Sequence, residues 1–288
     1  MRIANLSGRL VLVVDGRAVD VEQASDGGFS ADPQAVFERW EAFRAWAGAA
    51  DLPEGVAFDP AELGSPVPAP RQTLAIGLNY HDHAAESGFT APEGLPPVFT
   101  KFVTSISGPV TEVKLPAGGH TDWEVELVAV MGRRAEGVAE ADAWSHVAGL
   151  AVGQDISERV SQLAGPVPQF SLGKSRPGFT PIGPWLVTPD EFDDPDDLEL
   201  RCAINGEEVQ KGRTRDLIFS VPALIAGLSA VLPLLPGDVI FTGTPAGVGL
   251  DRDPQRWLTA GDELVSTIKG IGELRQTFVA WPPDRLNA

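Results

Sequence analysis

The chain has 288 residues, 43% of them hydrophobic and 22% charged, a balance that supports a packed core and argues against disorder. Its formal net charge of −18 opposes any sequence-independent attraction to nucleic acid phosphates or anionic lipid, so neither nucleic acid nor a membrane is expected as a partner. Cys202 is the single cysteine, which excludes an internal disulfide and a cysteine-based zinc site; with an N-terminus lacking a signal-peptide pattern, it predicts a soluble cytoplasmic protein.

Leu10 to Val14 and Ala18 to Val21 read as two strands joined at Asp15-Gly16, a dipeptide that tolerates the positive φ of a tight hairpin. After Asp32-Pro33, the apolar residues Ala35, Val36, Trp40, Phe43 and Trp46 recur every three or four positions and predict a helix packed on one face. From Ala50 to Arg71 the chain is rich in Pro, Gly and acids, and the connection between a small N-terminal domain (1–70) and a larger domain (71–288) is placed there.

The larger domain opens with a strand, Thr73 to Leu78, that runs into Asn79-Tyr80-His81-Asp82-His83-Ala84-Ala85-Glu86, a short helix on which His83 and Glu86 share a face. A histidine beside a carboxylate can take a proton from water, although the same spacing also fits a surface contact. His81, His120 and His146 have no such neighbour. A further strand is expected at Val98 to Phe102.

Trp123 to Met131 predicts another strand, and here acids fall where core residues are expected. Side chains alternate along a strand, so Glu124 and Glu126 project with Val128 and Val130, while Trp123, Val125, Leu127 and Ala129 take the opposite face. Two inward carboxylates need a cation or shared protons; on a solvent-facing strand they need neither. Asp155 follows the apolar run Val147 to Val152 and offers a third oxygen ligand or, alternatively, a turn cap. Three carboxylates make a hard, all-oxygen site suited to Mg²⁺ or Mn²⁺ rather than zinc.

Gly173-Lys174-Ser175 and Thr242-Gly243-Thr244-Pro245-Ala246-Gly247-Val248-Gly249 are Gly-rich turns without the spacing of a phosphate loop; the second could hold a carboxylate through N–H and O–H donors. Strands are expected at Leu198 to Ile204, Val239 to Thr242 and Glu263 to Ile268, a hairpin turn at Asn205-Gly206, and a buried amphipathic helix within Phe219 to Leu235. The frequent Gly and Pro residues suit the corners of a curved, barrel-like sheet.

Taken in order, Gly77-Leu78-Asn79-Tyr80 with His83 and Glu86, Glu124-Val125-Glu126-Leu127, Asp155-Ile156-Ser157, Gly173-Lys174-Ser175, Pro181-Ile182-Gly183-Pro184, Asn205-Gly206-Glu207 and the Gly-rich turn from Thr242 resemble the fumarylacetoacetate hydrolase family, over about Leu74 to Phe278. The resemblance implies a β-rich α+β chain: a mixed β-roll catalytic domain with a small N-terminal α/β domain, assembled as a homodimer. It implies Mg²⁺ or Mn²⁺ held by Glu124, Glu126 and Asp155, and a mobile lid carrying His83 and Glu86. Lys174 is then expected near the reacting oxygen, and Thr244, assisted by Arg159, near the carboxylate of a small substrate acid. The implied reaction is hydrolysis of a carbon–carbon bond in an acylpyruvate- or fumarylpyruvate-like 1,3-dioxo acid. Decarboxylation, isomerisation or dehydration of a small 2-oxo acid, and a catalytically silent metal-binding homologue, are the alternatives. Gln154 stands where many members have Asn, Val160 where many have Asp, and Arg176-Pro177-Gly178 where Phe-Asp-Thr is usual, changes that bear on substrate identity more than on metal binding.

Overall fold

A computed structural model of the chain describes residues 1–86, 88 and 94–281. It is β-rich with short helices. The predicted hairpin is present as Arg9–Val14 and Arg17–Asp20, turning at Asp15 and Gly16 with φ of 49° and 74°. An additional strand, Arg2–Leu6, precedes it. Its sequence hides it, because Ile3, Ala4 and Asn5 are all buried and show no alternation.

Arg2–Leu6 pairs on its other edge with Thr180–Val187, Ile3 opposite Leu186. Residues 1–70 therefore share one sheet with the rest of the chain. In order across that sheet run Arg17–Asp20, Arg9–Val14, Arg2–Leu6, Thr180–Val187, Val147–Gln154, Val125–Met131, Val239–Phe241, Thr73–Ile76 and Val98–Thr100, with two short strands off this path. The path is open rather than closed, and mixed: Val239–Phe241 runs parallel to Thr73–Ile76, its other neighbour antiparallel. A second sheet carries Glu207–Arg213, Glu199–Ile204, Glu263–Ile268, Gly272–Ala280 and Val110–Leu115.

Val125–Met131 is central, and every residue in it is buried. The predicted alternation holds. Trp123, Val125, Leu127, Ala129 and Met131 join a cluster with Leu200, Cys202 and Leu264 of the second sheet. Val128 and Val130 join another, with Phe37, Trp40 and Phe43. The aromatic stripe of the sequence is thus the cover of the sheet's other face, built as a 3-10 turn, Ala35–Arg39, running into the helix Trp40–Ala49. Cys202 is fully buried, and burial pushes its thiol up to about 12, which suits a packing role. The apolar stretch from Phe219 contains a nine-residue helix, Val221–Ser229, capped where the Ser220 hydroxyl accepts from Ala223 N–H. Among the described residues no helix is long and apolar enough to cross a membrane.

Candidate active site

The central strand enters its ladder at Val125, two residues later than the sequence pattern suggests. The cause is local. Trp123 N–H is taken by the Asp122 carboxylate (2.8 Å) and Glu124 N–H by the Gln154 side-chain carbonyl (2.9 Å), while Asp155 N–H donates to Glu124 C=O (2.9 Å). Side chains replace ladder partners, so Glu124 sits at the strand's mouth beside the end of Val147–Gln154, where Asp155 emerges. Gln154 is held in turn by Ser266 (2.8 Å), and of the three departures from the family pattern it is the one that touches the acids.

Glu124, Glu126 and Asp155 are all buried, and each offers an oxygen within 4.8 Å of the others. Lys174, which caps the short helix Phe170–Gly173, donates to Glu124 Oε2 (2.8 Å), Asp155 Oδ2 (2.8 Å) and Ser157 Oγ (2.7 Å). Arg159 pairs with Glu124 Oε1 and Asp122 Oδ2 (both 2.7 Å), and donates to Gln162 Oε1 (2.8 Å). Lys101 donates to Asp155 Oδ1 (2.5 Å) and to Lys174 C=O. Glu126 differs from the other acids. It accepts one hydrogen bond, from Gly243 N–H (2.7 Å), and among the described residues it has no ion pair.

These contacts set the charges. Burial pushes the Glu124 carboxyl up, but Lys174 and Arg159 outweigh it and hold it at about 2. Burial, then Asp155 and Glu124, push Glu126 well above the usual carboxylate range. Burial lowers Lys101 against the opposing pull of Asp155; for Lys174 burial acts the same way, but Asp155 and Glu124 more than offset it, so its ammonium stays charged. With every group of the cluster ionised, four acids (Asp122, Glu124, Glu126, Asp155) outnumber three cations (Lys101, Arg159, Lys174) by one, and Glu126 is the acid left without an ion pair among the described residues. An all-carboxylate oxygen set short of positive charge fits a hard divalent cation such as Mg²⁺ or Mn²⁺.

The short helix His81–Glu86 brings the predicted dyad together: His83 Nδ1 lies 2.8 Å from Glu86 Oε1. Glu86 accepts Gly247 N–H on both oxygens (3.1 and 3.0 Å). Asp251 joins them to make a second group of possible ligands, but Glu86 is exposed and Asp251 half-exposed, so water screens these charges as it cannot at Glu126.

One cavity of about 380 Å³ gathers the site: His83, Glu124, Arg159, Lys174, Thr244 and Asp251 all line it. Its size suits a small organic acid. Val160 and Arg176 are not in its lining. The Gly-rich turn organises the acids around it, since Gly243, Gly247 and Gly249 give their N–H groups to Glu126, Glu86 and Asp122. Gly247 has a φ of 107°, and a Cβ there would lie 2.2 Å from Val209 C=O, so no other residue fits without displacing the turn. The Thr244 hydroxyl donates to Val125 C=O (2.9 Å) and accepts from Gln210 (2.8 Å), so its proton is used inside the protein.

Sequence reasoning missed Asp122, Lys101 and Asp251. Asp122 extends the two-residue period of Glu124 and Glu126 and was open to detection; it accepts from Trp123, Gly249 and Leu250 N–H as well as from Arg159. Lys101 carries a fainter signal, a lone lysine between the apolar pairs Val98-Phe99 and Phe102-Val103. Asp251 carried none.

A family model for the C-terminal part of fumarylacetoacetate (FAA) hydrolase matches residues 72–279. A 2,4-didehydro-3-deoxy-L-rhamnonate hydrolase from Sphingomonas sp. (strain SKA58) is 44% identical over 220 residues, 76% of this chain and 76% of that protein. The crystal structure of a candidate HpcE protein from Mycobacterium smegmatis matches with a TM-score of 0.94 and 57% identity, covering 98% of this chain and 100% of that one. Maleylpyruvate hydrolase from Sphingobium sp. SYK-6, solved with manganese(II) and pyruvate, matches with a TM-score of 0.79 and 31% identity, covering 98% and 100% of the two chains. Other relatives are named as an oxaloacetate tautomerase and a 2-hydroxyhepta-2,4-diene-1,7-dioate isomerase.

Proposed function

Because this chain belongs to the fumarylacetoacetate hydrolase family, we propose that it is a divalent-metal-dependent hydrolase cleaving a carbon–carbon bond in an acylpyruvate- or fumarylpyruvate-like 1,3-dioxo acid. One observation carries this reading: Glu124, the outermost of a buried carboxylate trio, and His83 of a histidine–carboxylate dyad line the same cavity. The hydrolase relative's name describes a 2,4-dioxo acid, and the maleylpyruvate hydrolase holds manganese and pyruvate together.

Glu124, Glu126 and Asp155 would hold the ion, which supplies Lewis acidity to the oxygens of the 2-oxo acid. With the Glu86 carboxylate as acceptor, Nδ1 is the donor nitrogen of the neutral His83 ring, and Nε2 is the atom that takes a proton from water. The resulting hydroxide adds to the C4 carbonyl carbon, and the C3–C4 bond breaks with its electron pair moving into an enolate at C2–C3. Protonation at C3 by the imidazolium then gives pyruvate and a carboxylic acid. The charged Lys174 ammonium lies beside Glu124 and Asp155, where it stabilises the developing enolate oxygen. Arg159 fixes Glu124 through their ion pair, and we assign the backbone N–H of Thr244 to the substrate carboxylate, its hydroxyl being used internally.

The relatives named as tautomerase and isomerase favour a second reading, enol–keto or dienoate isomerisation at the same centre without water. A panel of 2-oxo and 2,4-dioxo acids, run with Mg²⁺, with Mn²⁺ and with chelator and followed by ultraviolet absorbance and product analysis, separates the two. Hydrolysis predicts pyruvate and a carboxylic acid, lost on chelation. Isomerised but uncleaved product would replace it with the second reading. We extend the proposal to a homodimer, supported by exposed apolar side chains at Phe102, Val103, Val167 and Leu172 on neighbouring segments.

A further inference from the structure

We infer that this cavity selects a monoanionic substrate, one whose end remote from the 2-oxo acid is uncharged and apolar, and discriminates against a dicarboxylate of the same length. The inference rests on the dioxo-acid reading above and narrows it.

The lining carries the case. Its two permanent cations, Lys174 and Arg159, are both tied to the acid cluster by ion pairs with Glu124, so they belong to the metal end of the cavity. His83 is held by Glu86. The remaining charged lining residue besides Glu124 is Asp251, an acid. The rest of the wall is largely apolar: Pro97, Phe99, Leu163, Phe170, Val248 and Leu250. Phe99, whose ring centroid lies 5.1 Å from Lys174 Nζ and so abuts the acid cluster, meets Phe170 edge to face with centroids 5.5 Å apart, and the apolar surface continues from there.

A second substrate carboxylate would therefore lose water on entry and meet no cation among the described lining residues beyond those serving the acid cluster. An ion moved from water to such a setting without a partner is strongly disfavoured, whereas a methyl group gains from the same wall. The net charge of −18 adds a long-range penalty that weighs more on a dianion than on a monoanion.

The matched pair 2,4-dioxoheptanoate and 2,4-dioxoheptanedioate differs only in a terminal methyl against a carboxylate. With the Mn²⁺-loaded full chain, kcat/KM is expected to favour the monoacid by at least about tenfold. Equal or greater efficiency with the diacid overturns the inference. Leu163→Lys adds a cation to the lining and should narrow the gap, chiefly through KM for the diacid; an unchanged gap in a folded variant overturns its electrostatic basis. Calorimetric binding of 2-oxoheptanoate and 2-oxoheptanedioate, which lack the second carbonyl, keeps the two readings apart. If no dioxo acid is cleaved, the hydrolase reading falls; tighter binding of the 2-oxo monoacid still supports the selection, and no preference or a tighter diacid overturns it.

Discussion

Replacing Glu126 probes the charge imbalance directly, since of the four clustered acids Asp122, Glu124, Glu126 and Asp155 it is the one with no ion pair among the described residues. Glu126→Gln keeps the shape and the Gly243 contact while removing a carboxylate that burial disfavours. It is expected to abolish Mn²⁺ binding by calorimetry and to raise the melting temperature of the metal-free protein, by about 2–4 °C per kcal/mol relieved. A variant that still binds Mn²⁺ like the parent, or melts lower without metal, contradicts the assignment. His83→Ala makes the complementary test. The side chain is not among the three acids, so Mn²⁺ affinity should hold while turnover of a dioxo acid falls by about 10²–10⁴-fold. Equal loss of both would make His83 a ligand rather than a base.

At the scale of elements, one amide ties the site together. The fully buried Asn79 side chain donates to Phe219 C=O (3.0 Å) and Thr242 C=O (2.7 Å) and accepts from Phe219 N–H (2.8 Å), joining the turn before the dyad helix to the end of Val239–Phe241. Asn79→Ala removes three bonds worth about 1 kcal/mol each, so urea unfolding should show a loss of about 3 kcal/mol. A loss under about 1 kcal/mol would mean the turn is held by other contacts. The elements that sequence reading caught are those whose pattern is local. Asp15-Gly16 and Asn205-Gly206 carry their turn chemistry in two residues, and Glu263–Ile268 alternates between half-buried and buried positions along its length. What it misplaced depends on contacts far along the chain: the start of the central strand is set by Gln154 and Gln210, and Arg2–Leu6 exists through its pairing with Thr180–Val187. Glu124 with Glu126, and His83 with Glu86, were legible because their spacings follow strand and helix periods, whereas Asp155 showed only as the polar end of an apolar run. The buried counter-cation Lys101 was not, since its partner Asp155 lies 54 residues away.

The whole molecule presents a β-rich body with its acids sunk beneath one cavity and an apolar surface nearby. Leu172 is 72% exposed and Val167 68%, on segments next to the strand Val98–Thr100. Exposed apolar side chains gathered in this way suit a second copy of the chain. Sedimentation velocity should give a dimer for the parent and a monomer for Leu172→Glu; a monomeric parent would remove the homodimer from the proposal. The same scale holds the decisive test. Anomalous diffraction from crystals grown with Mn²⁺ should show one strong peak bonded to an oxygen from each of Glu124, Glu126 and Asp155. A peak held instead by His83, Glu86 and Asp251, or no ordered ion at the trio, would contradict the account.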